Sequence, residues 1–408
     1  MIEEITAKEF DKFALNHELS NYHQSSAYAT LMTKYGYDKV YIAYKVNGKI
    51  KAASLLLLKK IKHVFKYAYA PKGFLIDYKN KKLLNDFTKK IKEYAKNNKI
   101  IFIKINPEIP TYRIYNDFKK RKLSNLEIIN TLTSLDYVKL KDNLYFESLI
   151  PRFNGIVDLK NYSIRSIDKT NRNKIHSAVR KGLEIEIFNE NKVKELYPFI
   201  ERKKRRRNIN YYKNYFNVFD DNKSVDIFLV KINYEKYLEN STLVYEKELE
   251  VNKKLTEKLF NKNSQENITR KMNSDTKLLS YKNDVINATY GISKDPNKYI
   301  AGALCIKYQN HVHIVISGYN KIYGGLNPNY FLHNEIIKYY KDNFDYLDLN
   351  GLTGDFSKQN PYKGLNDFKL GFNPLIYEFI GEFDLVVDKR FYDLLLTTGL
   401  IQKEFKKD

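Results

Sequence analysis

Through the first hundred residues the spacing of apolar positions changes several times, and each change predicts an element. Val40–Val46 and Ile50–Leu58 are apolar over strand length, and Asn47-Gly48 between them suits a type I′ hairpin because both residues tolerate positive φ. A helix opens at a Ser25 or Ser26 cap and runs to about Tyr35, and Phe65–Ile76 is extended. Over Lys81–Lys96 the positions Leu84, Phe87, Ile91 and Tyr94 recur at helical spacing, and Ile100–Ile105 then predicts a buried strand ending at Asn106-Pro107.

The same order returns later in the chain. Ile156–Leu159 is strand-like, and a helix opening at Thr170 or Asn171 carries Ile175, Ala178 and Val179. It stops at Gly182, since a left-handed residue after the last turn costs least in glycine. Strand Leu183–Phe188 follows. After a long interruption come strands Tyr299–Tyr308 and His311–Ser317, then a helix opened by Asn327-Pro328 through Phe331, Ile336 and Tyr340. Strand Tyr346–Leu349 and a hairpin-like stretch close the chain. The predicted fold class is α/β (α+β), with one layered unit occurring twice.

The interruption has its own pattern. No glycine lies between Leu183 and Tyr290, and no proline between Phe199 and Asp295. Across Glu235–Tyr290, Leu238, Tyr245 and Leu259, then Met272, Leu279 and Ile286, recur at heptad-like spacing around a polar turn near Asn261–Gln265. This predicts two antiparallel helices forming a coiled-coil arm, with these residues in its seam and polar Asn252 among them.

Charge narrows the partners. The chain carries a formal +23, whereas Glu235–Tyr290 holds ten Lys and Arg against nine Asp and Glu, so the excess sits on the globular body. Such an excess attracts tRNA, anionic headgroups or nucleotide diphosphates; a biased, lysine-rich and tryptophan-free composition explains it equally well. Cys305 is the one cysteine, so no internal disulfide forms and a reducing, cytoplasmic setting is expected. No run approaches the ~20 apolar residues of a membrane span, so any membrane contact is expected to be peripheral, on an anionic surface.

Candidate chemistry is sparse. Arg202, Lys203, Lys204, Arg205, Arg206 and Arg207 form the strongest basic run, with Tyr211 close behind. Guanidinium groups grip phosphate in bidentate fashion, and the competing reading is the solvated side of a helix. Asp77 ends an apolar stretch, where it either caps a turn or orients or deprotonates an amine. Lys369 lies between aromatics beside Gly371, as a snorkelling structural lysine or as a stabiliser of an oxyanion or phosphate. The seven histidines show no zinc spacing, and no nucleophile elbow, P-loop or dinucleotide fingerprint is present. No cofactor and no metal are expected.

Several segments in order resemble the Fem (FemABX) family of peptidoglycan aminoacyltransferases. They are Gln24-Ser25-Ser26-Ala27-Tyr28, Tyr69-Ala70-Pro71-Lys72-Gly73-Phe74-Leu75-Ile76-Asp77, Ile103-Lys104-Ile105-Asn106-Pro107, and the stretch Arg172 to Gly182. Tyr346-Leu347-Asp348-Leu349-Asn350-Gly351, Phe368-Lys369-Leu370-Gly371-Phe372 and Ile380-Gly381-Glu382-Phe383 complete the set. The resemblance implies two GNAT-like domains with an antiparallel coiled-coil helical arm inserted in the second. Residues 1–155 would form the first, 156–233 and 291–408 the second, and 234–290 the arm, with the C-terminal segment a candidate to pack back on the first domain. It implies transfer of an amino acid from aminoacyl-tRNA to a stem-peptide or bridge amine of lipid II or UDP-MurNAc-pentapeptide. By motif match Asp77 and Lys369 are then catalytic, Lys34, Arg207 and Tyr211 hold the precursor, and Arg202 to Arg206 serve tRNA; the arm offers a surface for a protein partner. The aromatic turn expected after the strand reads His313-Ile314-Val315-Ile316-Ser317-Gly318 here, which leaves Tyr319 as the candidate for the acceptor-side tyrosine. Lys72 and Phe74 likewise replace an arginine and a proline.

The implied chemistry is mild, because the donor is already an ester. A neutral amine attacks its carbonyl, an oxyanion forms, and a ribose oxygen leaves. Free lysine amines, with a pKa of about 10.4, are almost fully protonated at pH 7, so the enzyme must favour the neutral form by desolvation or with a base. Two competing readings stay open: an acetyl-CoA-dependent GNAT acyltransferase, against which the thin glycine patterning counts, and a non-catalytic tRNA-binding protein.

Overall fold

The computed structural model describes residues 1–115, 118–146, 149–201, 207–221, 223–293 and 298–405. Two sheets organise it. Strands β1 (Ile2–Glu4), β2 (Asp38–Val46), β3 (Lys49–Ile61), β4 (Phe65–Ala70) and β5 (Ile100–Ile105) come first, then β6 (Pro110–Ile114), β7 (Lys120–Lys122) and β8 (Tyr137–Lys139). β9 (Phe153–Asp158), β10 (Leu183–Phe188), β11 (Val225–Ile232), β12 (Tyr299–Tyr308) and β13 (His311–Tyr319) follow, and β14 (Tyr346–Leu352), β15 (Leu375–Phe379) and β16 (Phe383–Val386) end the series. The first sheet runs β1-β2-β3-β4-β5-β16-β8, and the second β10-β11-β12-β13-β14-β9-β15-β6-β7.

The duplication is explicit in this order. Both β1 to β5 and β10 to β14 make three antiparallel pairings and then one parallel pairing, β4 with β5 and β13 with β14. A parallel pair needs a crossover, supplied by helix Lys81–Asn97, amphipathic and buried on one side, and by helix Pro328–Tyr340, buried over most of its surface. The first hairpin turns at Asn47 (φ 50°) and Gly48 (φ 73°). The extended stretch expected over Phe65–Ile76 is shorter than its apolar run, because Pro71 has no N–H for the ladder; the chain leaves the sheet there and returns only where Leu75 pairs with Ala53.

The lobes exchange strands. β6 and β7 leave the N-terminal half to extend the second sheet, and β16 returns from the C-terminus to the first sheet between β5 and β8. The return is fixed by Lys104 on β5, whose Nζ lies 2.7 Å from Asp384 Oδ1 on β16, both almost fully buried. Between the lobes runs one apolar core: helix Ser26–Thr33 packs on helix Ile209–Asp220, and Leu31 and Leu55 share a cluster with Tyr215, Phe216 and Leu304.

The arm is two antiparallel helices, Tyr234–Asn261 and Gln265–Gly291. Its phase on the second helix differs from expectation. Met272, Leu279 and Ile286 are exposed, whereas Ser274, Asp284 and Ala288 are buried. Asn252 explains the shift: its amide donates to Ser274 Oγ at 3.1 Å and Asp275 Oδ1 at 2.8 Å, so the seam is set by polar pairing and the apolar stripe turns outward.

Gly182 seats the arm. It has φ +69°, and its carbonyl accepts from the Asn233 N–H at 2.8 Å, immediately before the first arm helix. A Cβ on Gly182 would lie 2.3 Å from the Asn233 carbonyl oxygen and 2.8 Å from the Tyr237 nitrogen. Gly182→Ala is therefore expected to cost at least about 2 kcal/mol, from strained φ and a backbone clash, read as a lowered denaturation midpoint.

Candidate functional site

Parallel strands leave a gap beyond their carboxyl ends, where loops diverge and ligands bind in open α/β sheets. Here the parallel pairing ends at Ala70–Ile105 in the first sheet and at His313–Asp348 in the second, and residues at or beyond both points line adjoining cavities between the lobes. From the first lobe come Lys72 after β4, Asn106 and Glu108 after β5, and Asn21, Tyr22 and His23 ahead of helix Ser26–Thr33. From the second come His313 on β13, Asp348 and Asn350 on β14, and Asn154 on β9. Leu149, Ile150 and Pro151 add an apolar wall, and Lys141, Asp142, Arg152 and Glu382 line the far side of the adjoining cavity. The two adjoining cavities measure about 540 Å³ and about 410 Å³ with their open mouths and share Lys72, Ile150 and Pro151.

Lys72 is the cation common to both cavities; Lys141 and Arg152 also line one of them. Lys72 Nζ lies 2.9 Å from Glu108 Oε1 and 4.9 Å from the Phe379 ring centre. Its backbone is left-handed (φ 56°), and its N–H donates to Asn106 Oδ1 at 2.8 Å. The loop is held from below by Gln24, fully buried, which donates to the Pro71 carbonyl at 2.7 Å and accepts from the Leu55 N–H at 2.9 Å. Glu108 also accepts from the Asn21 side-chain amide at 2.6 Å. The conspicuous Gln24 and Pro71-Lys72-Gly73 segments thus shape one loop and present one ammonium.

On the facing wall His313 Nδ1 is 3.5 Å from Asp348 Oδ2, the two residues being register partners across the parallel pair. The Asn154 amide donates to Asp348 Oδ2 at 3.0 Å and the Asn350 N–H to Oδ1 at 2.7 Å. Burial pushes the Asp348 carboxyl up, but the His313 hydrogen bond, the charges of His313 and Lys72 and the Asn350 N–H outweigh it and hold it below its ordinary value. His23 stacks on Tyr22 and its Nδ1 faces Asn21 Oδ1 at 2.7 Å. Burial first, then Lys72 and His313, depress the His23 imidazole well below its ordinary value, against the pull of Asp348. Burial raises the Tyr22 phenol, so it stays protonated near neutrality.

The residues singled out from sequence fall in three places. Lys34, Arg207 and Tyr211 come together: Lys34 Nζ reaches Asn214 Oδ1 at 3.2 Å, Tyr35 packs 5.1 Å from Tyr211, and the Arg207 guanidinium covers the Tyr211 ring at 5.4 Å. All lie about the first turns of helix Ile209–Asp220, whose N-terminus is capped by the Asn208 side chain accepting from the Tyr211 N–H at 2.9 Å. Asp77 and Lys369 are not cleft-lining residues. Asp77 is exposed on the first lobe and accepts from the Lys79 N–H at 3.0 Å, as a turn-capping aspartate does. Lys369, on helix Lys363–Leu370, is buried and donates to the Gly351 carbonyl at 2.6 Å. Tyr319 is exposed near Gly324, at the end of β13 away from His313. Arg202, Lys203, Lys204, Arg205 and Arg206 lie outside the described residues.

Sequence reasoning missed the pairs Lys72–Glu108 and His313–Asp348 as chemistry, although Lys72, His313 and Asp348 stood inside the motifs it quoted. Lys72 and Glu108 lie just past the carboxyl ends of β4 and β5, whereas His313 and Asp348 are each the third residue of their strands, where the parallel pairing of β13 with β14 stops, and that stopping point is not readable from the sequence. Among the described residues no group of three or more His, Cys, Asp or Glu side chains is arranged to hold a metal ion, and no helix is long and apolar enough to cross a membrane.

A doubled α/β unit with a cleft at the ends of its parallel strands and a helical arm in the second copy defines the structural class. The chain belongs to the FemAB family, whose profile matches residues 5–398. It is similar to the lipid II:glycine glycyltransferase of Staphylococcus epidermidis, 26% identical over 401 residues covering 96% of this chain and 94% of the relative. The lipid II:glycine glycyltransferase of Staphylococcus aureus is 25% identical over 407 residues, with the same shares covered. The crystal structure of FemX superposes with a TM-score of 0.74 at 22% identity, over 97% of this chain and 99% of that one, which extends the likeness to the fold.

Proposed function

We propose that this chain transfers an amino acid from aminoacyl-tRNA to an amine on the peptide of lipid II, building the interpeptide bridge of peptidoglycan. The observation that carries the reading is the two-part site: a basic, aromatic patch of Lys34, Arg207 and Tyr211 beside helix Ile209–Asp220, and a cleft in which buried Lys72 and the pairs Lys72–Glu108 and His313–Asp348 face one space. The relatives named for lipid II and glycine support acceptor and reaction class; the surplus positive charge of the body supports a tRNA donor.

In this reading Lys34 and Arg207 grip the phosphates of the precursor while its peptide enters the cleft. The amine attacks the ester carbonyl, and Lys72, the cation shared by both cavities, stabilises the oxyanion, in the role expected of Lys369 from motif alone. Proximity supplies much of the remaining acceleration, since an activated ester needs little further help. The basic run Arg202 to Arg206 and the body surface take tRNA phosphates, and lipid II brings the protein to the anionic inner face of the membrane.

Transfer should require intact charged tRNA: product should disappear when ribonuclease digests the donor before mixing, and free amino acid with ATP should give none. Undiminished product under either condition removes the donor assignment. Lys34→Ala and Arg207→Ala should each raise the KM for the precursor about 10- to 100-fold with kcat little changed, as loss of one charge-assisted phosphate contact predicts. Steady-state kinetics with varied precursor checks this.

A further inference from the structure

We infer that His313, oriented by Asp348, is the proton acceptor for the attacking amine and returns that proton to the leaving ribose oxygen. The inference rests on the transfer reading above and adds a residue to it. Its basis is placement. His313 and Lys72 line the same cavity from different lobes, and His313 Nδ1 faces Asp348 Oδ2 at 3.5 Å, so the proton is assigned to its other ring nitrogen, Nε2. Asp348 is itself fixed by Asn154 and by the Asn350 N–H, so the carboxylate stays ionised and holds both tautomer and ring orientation.

The cleft contains a second imidazole, and the environment separates the two. His23 has the amide oxygen of Asn21 at its Nδ1 and faces Lys72, and both burial and that cation disfavour a charged ring. His313 has an anion at Nδ1, which stabilises the imidazolium formed when Nε2 gains a proton. The other groups facing this region are His311 on the same strand, Asp345 and Asp348 on the neighbouring one, and Lys72 and Glu108 from the first lobe.

The step balances without a further reagent. The amine nitrogen bonds the ester carbonyl carbon, and its proton passes to His313 Nε2. The carbon–oxygen bond to the ribose then breaks and the imidazolium protonates the departing oxygen. Amine plus ester gives amide plus ribose hydroxyl, and the histidine ends neutral.

The test is the pH dependence of single-turnover transfer from charged tRNA to lipid II by wild type, His313→Gln and Asp348→Asn, with circular dichroism confirming folded protein. Wild-type rate should climb with slope about two in log rate per pH unit below the imidazole range, where both amine and histidine must lose a proton, and about one above it. His313→Gln should be slower by about 100-fold and show slope about one throughout, with precursor KM changed less than about threefold. Asp348→Asn should move the break to lower pH. A His313→Gln enzyme with an unchanged break overturns the proposal, whether its rate is normal or reduced, since a merely structural role leaves the profile intact. Should His313→Gln fail to fold, an unmoved break in Asp348→Asn overturns it. A wild type that transfers nothing overturns the transfer reading itself, and this inference with it.

Discussion

Lys104→Met should destabilise the protein by about 3–5 kcal/mol, because it leaves the Asp384 carboxylate buried with its cation gone. The pair is the most enclosed in the molecule's described ion pairs, with side-chain exposures of 2% and 0%. Asp384 keeps one donor, the Tyr392 hydroxyl at 2.8 Å, which moderates the loss without cancelling it. The position amplifies the effect, since Lys104 and Asp384 bind the C-terminal strand β16 into the first sheet after the chain has built the second. The double variant Lys104→Met/Asp384→Leu should recover to within about 2 kcal/mol of wild type, because an apolar pair of similar volume avoids the desolvation cost. Urea denaturation midpoints of the three proteins decide it. A double variant no better than the single would mean that packing, and not the orphaned charge, causes the loss.

The second large effect concerns activity. Lys72→Met should lower kcat for transfer about 100- to 1,000-fold, the range for loss of a preorganised donor aimed at a developing oxyanion. The KM for precursor should move little, because the phosphate patch at Lys34 and Arg207 lies on a different element. Asp77→Ala, by contrast, should stay within about twofold of wild type. Its exposed carboxylate caps the turn at Lys79 and stands outside the cleft lining. Parallel kinetics on these two variants separate the cleft from the motif as the seat of the chemistry.

The doubled unit was legible because its signals are local. Helix spacing from Leu84 to Tyr94, the Asn47-Gly48 hairpin, the proline after Asn327 and the glycine at 182 each act within a few residues. Strand exchange was not legible, because nothing in Lys120-Arg121-Lys122 or Phe383–Val386 says which sheet each will join; only the folded partners do. The arm shows the same boundary at smaller scale. Its two helices and their antiparallel turn follow from composition, yet the seam was placed on Met272, Leu279 and Ile286 when the Asn252–Ser274 contact rotates them outward.

The site divides in a similar way. The residues read as a phosphate grip do lie near one another: Arg207 just ahead of helix Ile209–Asp220 covers Tyr211 in its first turn, four positions on, and Lys34 reaches Asn214 of the same helix from the first lobe. The cleft was not legible. Lys72, Glu108, His313 and Asp348 are brought together by four separate elements far apart in sequence, whereas Asp77 and Lys369, the residues the motifs single out, lie at a turn and against the Gly351 carbonyl.

The most direct measurement is the mass of the acceptor. Purified protein, lipid II and a mixture of charged tRNAs should yield lipid II heavier by one or more whole amino-acid residues, attached through an amide on its peptide. Lipid II of unchanged mass after prolonged incubation with every charged tRNA would contradict the account.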